Sequence, residues 1–92
     1  MKGGQYLRLV AALPCVLCSR NGLIQEARTE VHHLRESEGM GQRAQDWLGI
    51  AACSHCHRGP AGIHGDRSLL RVAKVDEADL LAWTIRAVMN RA

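Results

Sequence analysis

The sequence predicts a small α+β domain with a cysteine-built centre, and three observations carry that expectation. Four cysteines occur as two CxxC pairs, Cys15-Val16-Leu17-Cys18 and Cys53-Ser54-His55-Cys56. Two short stretches, 29–34 and 47–52, have strand-like patterns, and the second runs directly into Cys53. Residues 77–90 carry apolar side chains at helical spacing behind a capping aspartate, Asp76. The 92 residues suffice for one domain, 1–92. There is no Phe, and only Tyr6, Trp47 and Trp83 are aromatic. A chain this short, with so few large apolar side chains, needs support beyond packing.

Taken in order, residues 5–13 place Tyr6, Leu9, Val10 and Leu13 on one helical face, after a flexible Gly3-Gly4. Pro14 ends that helix, and Ser19-Arg20-Asn21-Gly22 supplies turn residues that let the first CxxC wrap an ion. Residues 29–34 read as a strand delivering His32 and His33 to opposite or slightly twisted faces, because side chains alternate along a strand. Residues 36–44, with Gly39 and Gly41, read as a polar loop, and 47–52 as a second strand. A short helix or turn begins at Cys56 and breaks at Gly59-Pro60; Ile63-His64-Gly65-Asp66 is a loop, and 68–75 a further short helical stretch. In the final helix, Asp79 stands at the third position and Arg86 and Arg91 lie towards the end, as the helix dipole favours. Its predicted buried face is Leu81, Thr84, Ile85 and Val88, widened by Leu80, Trp83 and Ala87, and its role that of a brace.

The two CxxC pairs are separated by 34 residues, Ser19 to Ala52, more than in a simple zinc ribbon. Each CxxC puts two sulfurs on one tight turn, and two such turns close the tetrahedral site that zinc prefers. Cys15, Cys18, Cys53 and Cys56 are therefore expected to bind a structural Zn2+, worth ~10–16 kcal/mol in small domains. A redox CxxC is the alternative, but no thioredoxin-like βαβ pattern surrounds either pair. The start of the chain shows no secretory pattern and no segment has the length of a membrane span, so a reducing cytoplasmic setting is expected.

Four of the five histidines, His32, His33, His55 and His57, lie between or beside the cysteine pairs, and His64 follows closely. Val31-His32-His33-Leu34, Asp46 and the Cys53-x2-Cys56-His57 end together resemble the ββα-metal (His-Me finger) motif of HNH endonucleases in its zinc-stabilised form. The closest likeness is to small phage-borne HNH proteins of the recombination enhancement function type, including their Gly39-Met40-Gly41 loop and Ile63-His64-Gly65-Asp66 tail. It covers roughly 13–66, with flanking helices at either end and the last over about 76–90.

The resemblance implies a DNA endonuclease that hydrolyses phosphodiester bonds with one catalytic ion, Mg2+, Mn2+ or Zn2+. His32 and His57 would ligate that ion; His64 would be a third ligand or a simple loop histidine. His33, on the next strand position and turned the other way, would take the proton from the attacking water. HNH proteins commonly place an Asn ahead of the second CxxC to orient the base; here Asp46 is the best-placed candidate. His55 is expected to be exposed or near phosphate. Arg35, Arg43, Arg58 and Arg67 flank the proposed site, as phosphate clamps or as solubilising surface.

A net charge of +3 permits a nucleic-acid partner without demanding one. The likeness implies DNA, and service beside a recombinase filament in phage or prophage recombination, with no membrane and a monomer or weak homodimer. The rival expectation is a non-catalytic zinc module that binds nucleic acid or protein, which would hold one metal per chain where the nuclease holds two.

Overall fold

The computed structural model describes residues 1–34 and 45–91. Arg35, Arg43 and the Gly39-Met40-Gly41 loop lie outside the described residues. The fold is a small mixed α/β unit: a two-stranded antiparallel sheet, five helices and one 3-10 turn among the described residues.

Helix α1 spans Gly3–Ala11. It starts at Gly3 rather than Gln5 because the Gln5 side-chain oxygen accepts the Lys2 backbone N–H at 2.8 Å while the Gln5 N–H donates to the Lys2 carbonyl at 3.0 Å. The turn expected after the first cysteine is a short helix, α2, Val16–Asn21. Gly22 ends it at φ 67°, a left-handed conformation that costs glycine little and lets its N–H cap the last carbonyls.

Strand β1, Thr29–His33, pairs with β2, Gly49–Cys53, so that Thr29 faces Cys53 and His33 faces Gly49. The second strand lies further along than its apolar run suggests: Trp47 and Leu48 belong to the 3-10 turn Asp46–Leu48, and Cys53 closes the strand. Trp47 is 46 % exposed and rests against the Tyr6 ring at 5.5 Å, so its apolar character serves a lateral contact and not the sheet. Every residue of β2 is buried, which explains its unbroken run of small and apolar residues. Tyr6 Oη donates to the Gly49 carbonyl at 2.9 Å, tying α1 to the start of the strand.

Helix α3, Ser54–Arg58, follows β2 without a linker and begins between the cysteines of the second pair, not at Cys56. Helices α4, Ser68–Ala73, and α5, Glu77–Arg91, complete the chain. Asp76 and Asp79 cap the start of α5 reciprocally, each carboxylate accepting the other's backbone N–H, at 2.9 and 3.0 Å. The buried seam of α5 is Leu80, Thr84 and Val88; Ile85, expected inside, is 41 % exposed. The helix is turned by its contact with β2: the Ala51 N–H donates to Thr84 Oγ1 at 3.2 Å, and the Thr84 hydroxyl donates to the Leu80 carbonyl at 2.8 Å. A fully buried threonine thus satisfies a strand amide that β1 does not reach. Leu17, Ile50, Leu70, Leu80, Val10 and Val88 fill the core, and all four cysteines are buried in the same cluster.

Candidate metal centres

The two CxxC turns meet at one point. Cys15 caps α2, its sulfur accepting the Cys18 N–H at 3.4 Å, and Cys53 and Cys56 arrive from the end of β2 and from α3. Cys18 Sγ lies 3.7 Å from Cys53 Sγ and 3.6 Å from Cys56 Sγ. Four sulfurs at ~2.3 Å around one zinc stand about 3.8 Å apart, so this spacing suits a tetrahedral ion. All four are unbridged by disulfides and buried. The acidities agree with a cluster built for a cation. The Cys15 thiol is pulled well below its ordinary value, chiefly by a hydrogen bond from Cys56. Cys18 is pushed up by burial and by the charge on Cys15, and Cys56 is pushed up by its bond to Cys15 and by burial. Four thiolates packed this closely would need a cation to offset their charge.

A second cluster lies at the other face of the sheet end. His32, buried on β1, His57, half-buried on α3, and His64, exposed on the loop, each present a nitrogen within 4.8 Å of the others. Local backbone bonds set the third: the Ile63 N–H donates to the Cys56 carbonyl at 2.8 Å and the His64 N–H to the His57 carbonyl at 2.9 Å, folding the loop back along α3. Alternation along β1 leaves His33 less buried than His32, yet both line one cleft of about 340 Å³, with Leu34, Ile63, His64, Arg67 and Glu77.

The nitrogens of this cluster are arranged in a telling order. His32 Nδ1 faces His57 Nε2 at 3.2 Å. The opposite nitrogen of each ring meets a carboxylate: His32 Nε2 lies 2.5 Å from Glu77 Oε1, and His57 Nδ1 lies 3.0 Å from Glu30 Oε1. Each carboxylate is held in turn by an arginine, Glu77 by Arg67 at 3.3 Å to both terminal nitrogens, and Glu30 by Arg58 through a two-pronged contact. The Glu30 pKa lies below its ordinary value, chiefly because of Arg58 and then His57; that of Glu77 also lies below, burial opposing but the bonds from His32 and Arg67 outweighing it. With both carboxylates ionised, a neutral ring that donates to its carboxylate turns a lone pair towards the other ring. Such a pair needs either an added proton or a cation. Burial pushes the His32 pKa below its usual value, against the pull of Glu77. Two nitrogens each ~2.1 Å from one ion and 3.2 Å apart subtend about 100° at it, a fitting angle for a bound divalent cation.

Other predicted site residues fall elsewhere. Asp46 is exposed, and its carboxylate fills the space beside Gly3 at the start of α1: a Cβ on Gly3 would lie 2.5 Å from Asp46 Oδ2. The carboxylates that hold imidazoles are Glu30 and Glu77, so the orienting role predicted for Asp46 has no contact to carry it among the described residues. Arg58 and Arg67, predicted as phosphate clamps, are engaged by those glutamates, although Arg67 still lines the cleft. His55 is exposed on α3, away from the histidine cluster. Neither Glu30 nor Glu77 belongs to the motif that marks the histidines. For Glu30 a signal existed: it stands two positions from His32 on a strand and so shares its face. Glu77 lies 45 residues from its histidine, and no local pattern points to it.

Compared with known proteins, the chain matches no family model, no curated protein and no solved structure. No helix of the described residues is long and apolar enough to cross a membrane.

Proposed function

We propose that this chain is a metal-dependent DNA endonuclease of the HNH, ββα-metal kind, hydrolysing phosphodiester bonds with one divalent ion beside a structural Zn2+. The observation that carries the reading is the facing pair His32 Nδ1 and His57 Nε2, each ring backed by an ionised carboxylate, at the edge of a cleft that His32 lines together with His33 and His64. The chain order supports it: β1 brings His32 and His33, β2 returns to the thiolates, and α3 brings His57.

In this reading His32, His57 and His64 hold Mg2+, Mn2+ or Zn2+, which when bound neutralises a phosphate oxygen and the leaving 3′ oxygen. His33, one residue along β1, accepts the proton of the attacking water. Arg67, forked onto Glu77 at the wall of the cleft, is the described cation placed to meet a phosphate. The resemblance of the motif extends the proposal to phage or prophage recombination or DNA processing, with DNA and a recombinase filament as partners. A zinc module without activity needs only the thiolates and leaves the three-histidine cluster without a use.

The test is nicking of supercoiled plasmid and cleavage of single-stranded DNA by zinc-loaded protein with Mg2+ or Mn2+ added, beside His33→Ala of equal zinc content. Cleavage that the variant loses supports the nuclease and gives His33 its role. If neither protein cuts but both bind DNA alike, the zinc module replaces this reading.

A further inference from the structure

The last helix was expected to brace the core, and its first residue does more. Glu77 opens α5, yet its Oε1 reaches His32 Nε2 at 2.5 Å while its Oε2 takes the fork of Arg67. The side chain is only 21 % exposed, and the imidazole it holds only 6 %. Arg67 itself sits at φ 64°, a left-handed conformation uncommon for a residue with a side chain, held there by its N–H bond to the Gly62 carbonyl at 3.1 Å. That backbone kink starts α4 and leaves the guanidinium beside Glu77. The carboxylate is therefore fixed from two sides, by α5 and by Arg67.

We propose that Glu77 is a positioning residue for the ion, holding His32 with its proton on Nε2 and its Nδ1 lone pair turned to His57, so that α5 is part of the metal site. The proposal rests on the reading that His32, His57 and His64 bind a divalent ion. Without the carboxylate, a buried imidazole is free to carry its proton on either nitrogen, and the form with the proton on Nδ1 turns an N–H towards His57 and closes the site. The contact also makes the site span the chain: one ion joins β1, α3 and the 59–67 loop directly, and α5 through Glu77. Removal of a carboxylate behind a metal-binding histidine weakens ion binding by roughly 10–100-fold in comparable sites.

The experiment uses protein carrying one zinc in the thiolate site and titrates it with further Zn2+ by calorimetry, so that the probe cannot exchange a different metal into the cysteines. Wild type, Glu77→Gln, Glu77→Asp, Asp79→Asn and His32→Ala are compared, and the His32 tautomer is read from long-range 1H–15N spectra before the second ion is added. Wild type is expected to take one further zinc, with His32 in the Nε2–H form. Glu77→Gln should bind that zinc roughly 10–100-fold more weakly and lose the single tautomer. Glu77→Asp, which keeps the charge at the helix start but retracts it by one methylene, should weaken it similarly and serves if the glutamine variant does not fold. Asp79→Asn disturbs the same helix start without touching His32 and should stay within about two-fold.

If wild type takes no second zinc, or His32→Ala binds it as well as wild type, the histidine metal site itself fails and the proposed function with it. If wild type binds and His32→Ala does not, but the Glu77 variants match wild type in affinity and tautomer, the positioning role alone is overturned. It is also overturned if Asp79→Asn weakens binding as much as the Glu77 variants, since the effect would then come from the helix start.

Discussion

His33 and His32 are neighbours in sequence with different surroundings. The first is half-buried at the cleft, and the second is enclosed and held from both sides. A general base contributes typically ~10²–10⁴-fold, so His33→Ala should lower the nicking rate by about that factor while leaving both metals in place; metal content by mass spectrometry alongside plasmid nicking checks it. His57→Ala should behave differently. It removes one of the facing nitrogens and leaves Glu30 and Arg58 as a surface ion pair, so the thiolate zinc and the fold should survive while the second ion is lost. A zinc count of one per chain in that variant, against two in wild type at saturating Zn2+, is the expected result, and two in the variant would remove His57 from the ligand set.

Among the elements, β2 depends most on its neighbours, because it is buried along its whole length and, among the described residues, only β1 pairs with it. The Thr84 hydroxyl gives the Ala51 N–H an acceptor on the other side. Thr84→Val keeps the shape and strands that amide in the core, a loss of about 1–3 kcal/mol measurable as a lower urea midpoint. Thr84→Ser keeps the hydroxyl and should recover most of the midpoint, short of the contribution of one buried methyl, about 1 kcal/mol. Recovery by serine separates the hydrogen bond from packing, and equal losses in both variants would count against the bond.

For the whole molecule, the thiolate cluster and the hydrophobic core are one object, since Cys15, Cys18, Cys53 and Cys56 are buried among Leu17, Ile50 and Leu70. Small domains have total stabilities of ~5–15 kcal/mol, and a structural zinc contributes ~10–16 kcal/mol, so a zinc bound here leaves little fold behind when it goes. Stripping the chain with a strong chelator under reducing conditions should abolish cooperative unfolding followed by tryptophan fluorescence, and added Zn2+ should restore it. Trp83, which lies under the Arg20 guanidinium at 4.1 Å, is a suitable reporter because that contact joins α2 to α5. Retention of a cooperative transition in the stripped protein would show that packing alone suffices.

Local chemistry made much of this protein legible in its sequence. The CxxC pairs needed only their own spacing to declare an ion site, β1 showed in the alternation around His32 and His33, and the start of α5 showed in Asp76 and Asp79, because cysteine turns, strand periodicity and helix caps are settled within a few residues. What the sequence left open depended on rotations and contacts between distant segments. Periodicity marked α5 as amphipathic but could not choose between Ile85 and Leu80 for its seam; the position of the Ala51 amide did so. Asp46 stood near the histidines in sequence and came to rest against Gly3, while Glu77, 45 residues from His32, came to hold its ring. A carboxylate's partner is chosen by where its helix begins in space, and only the packed tertiary structure specifies that.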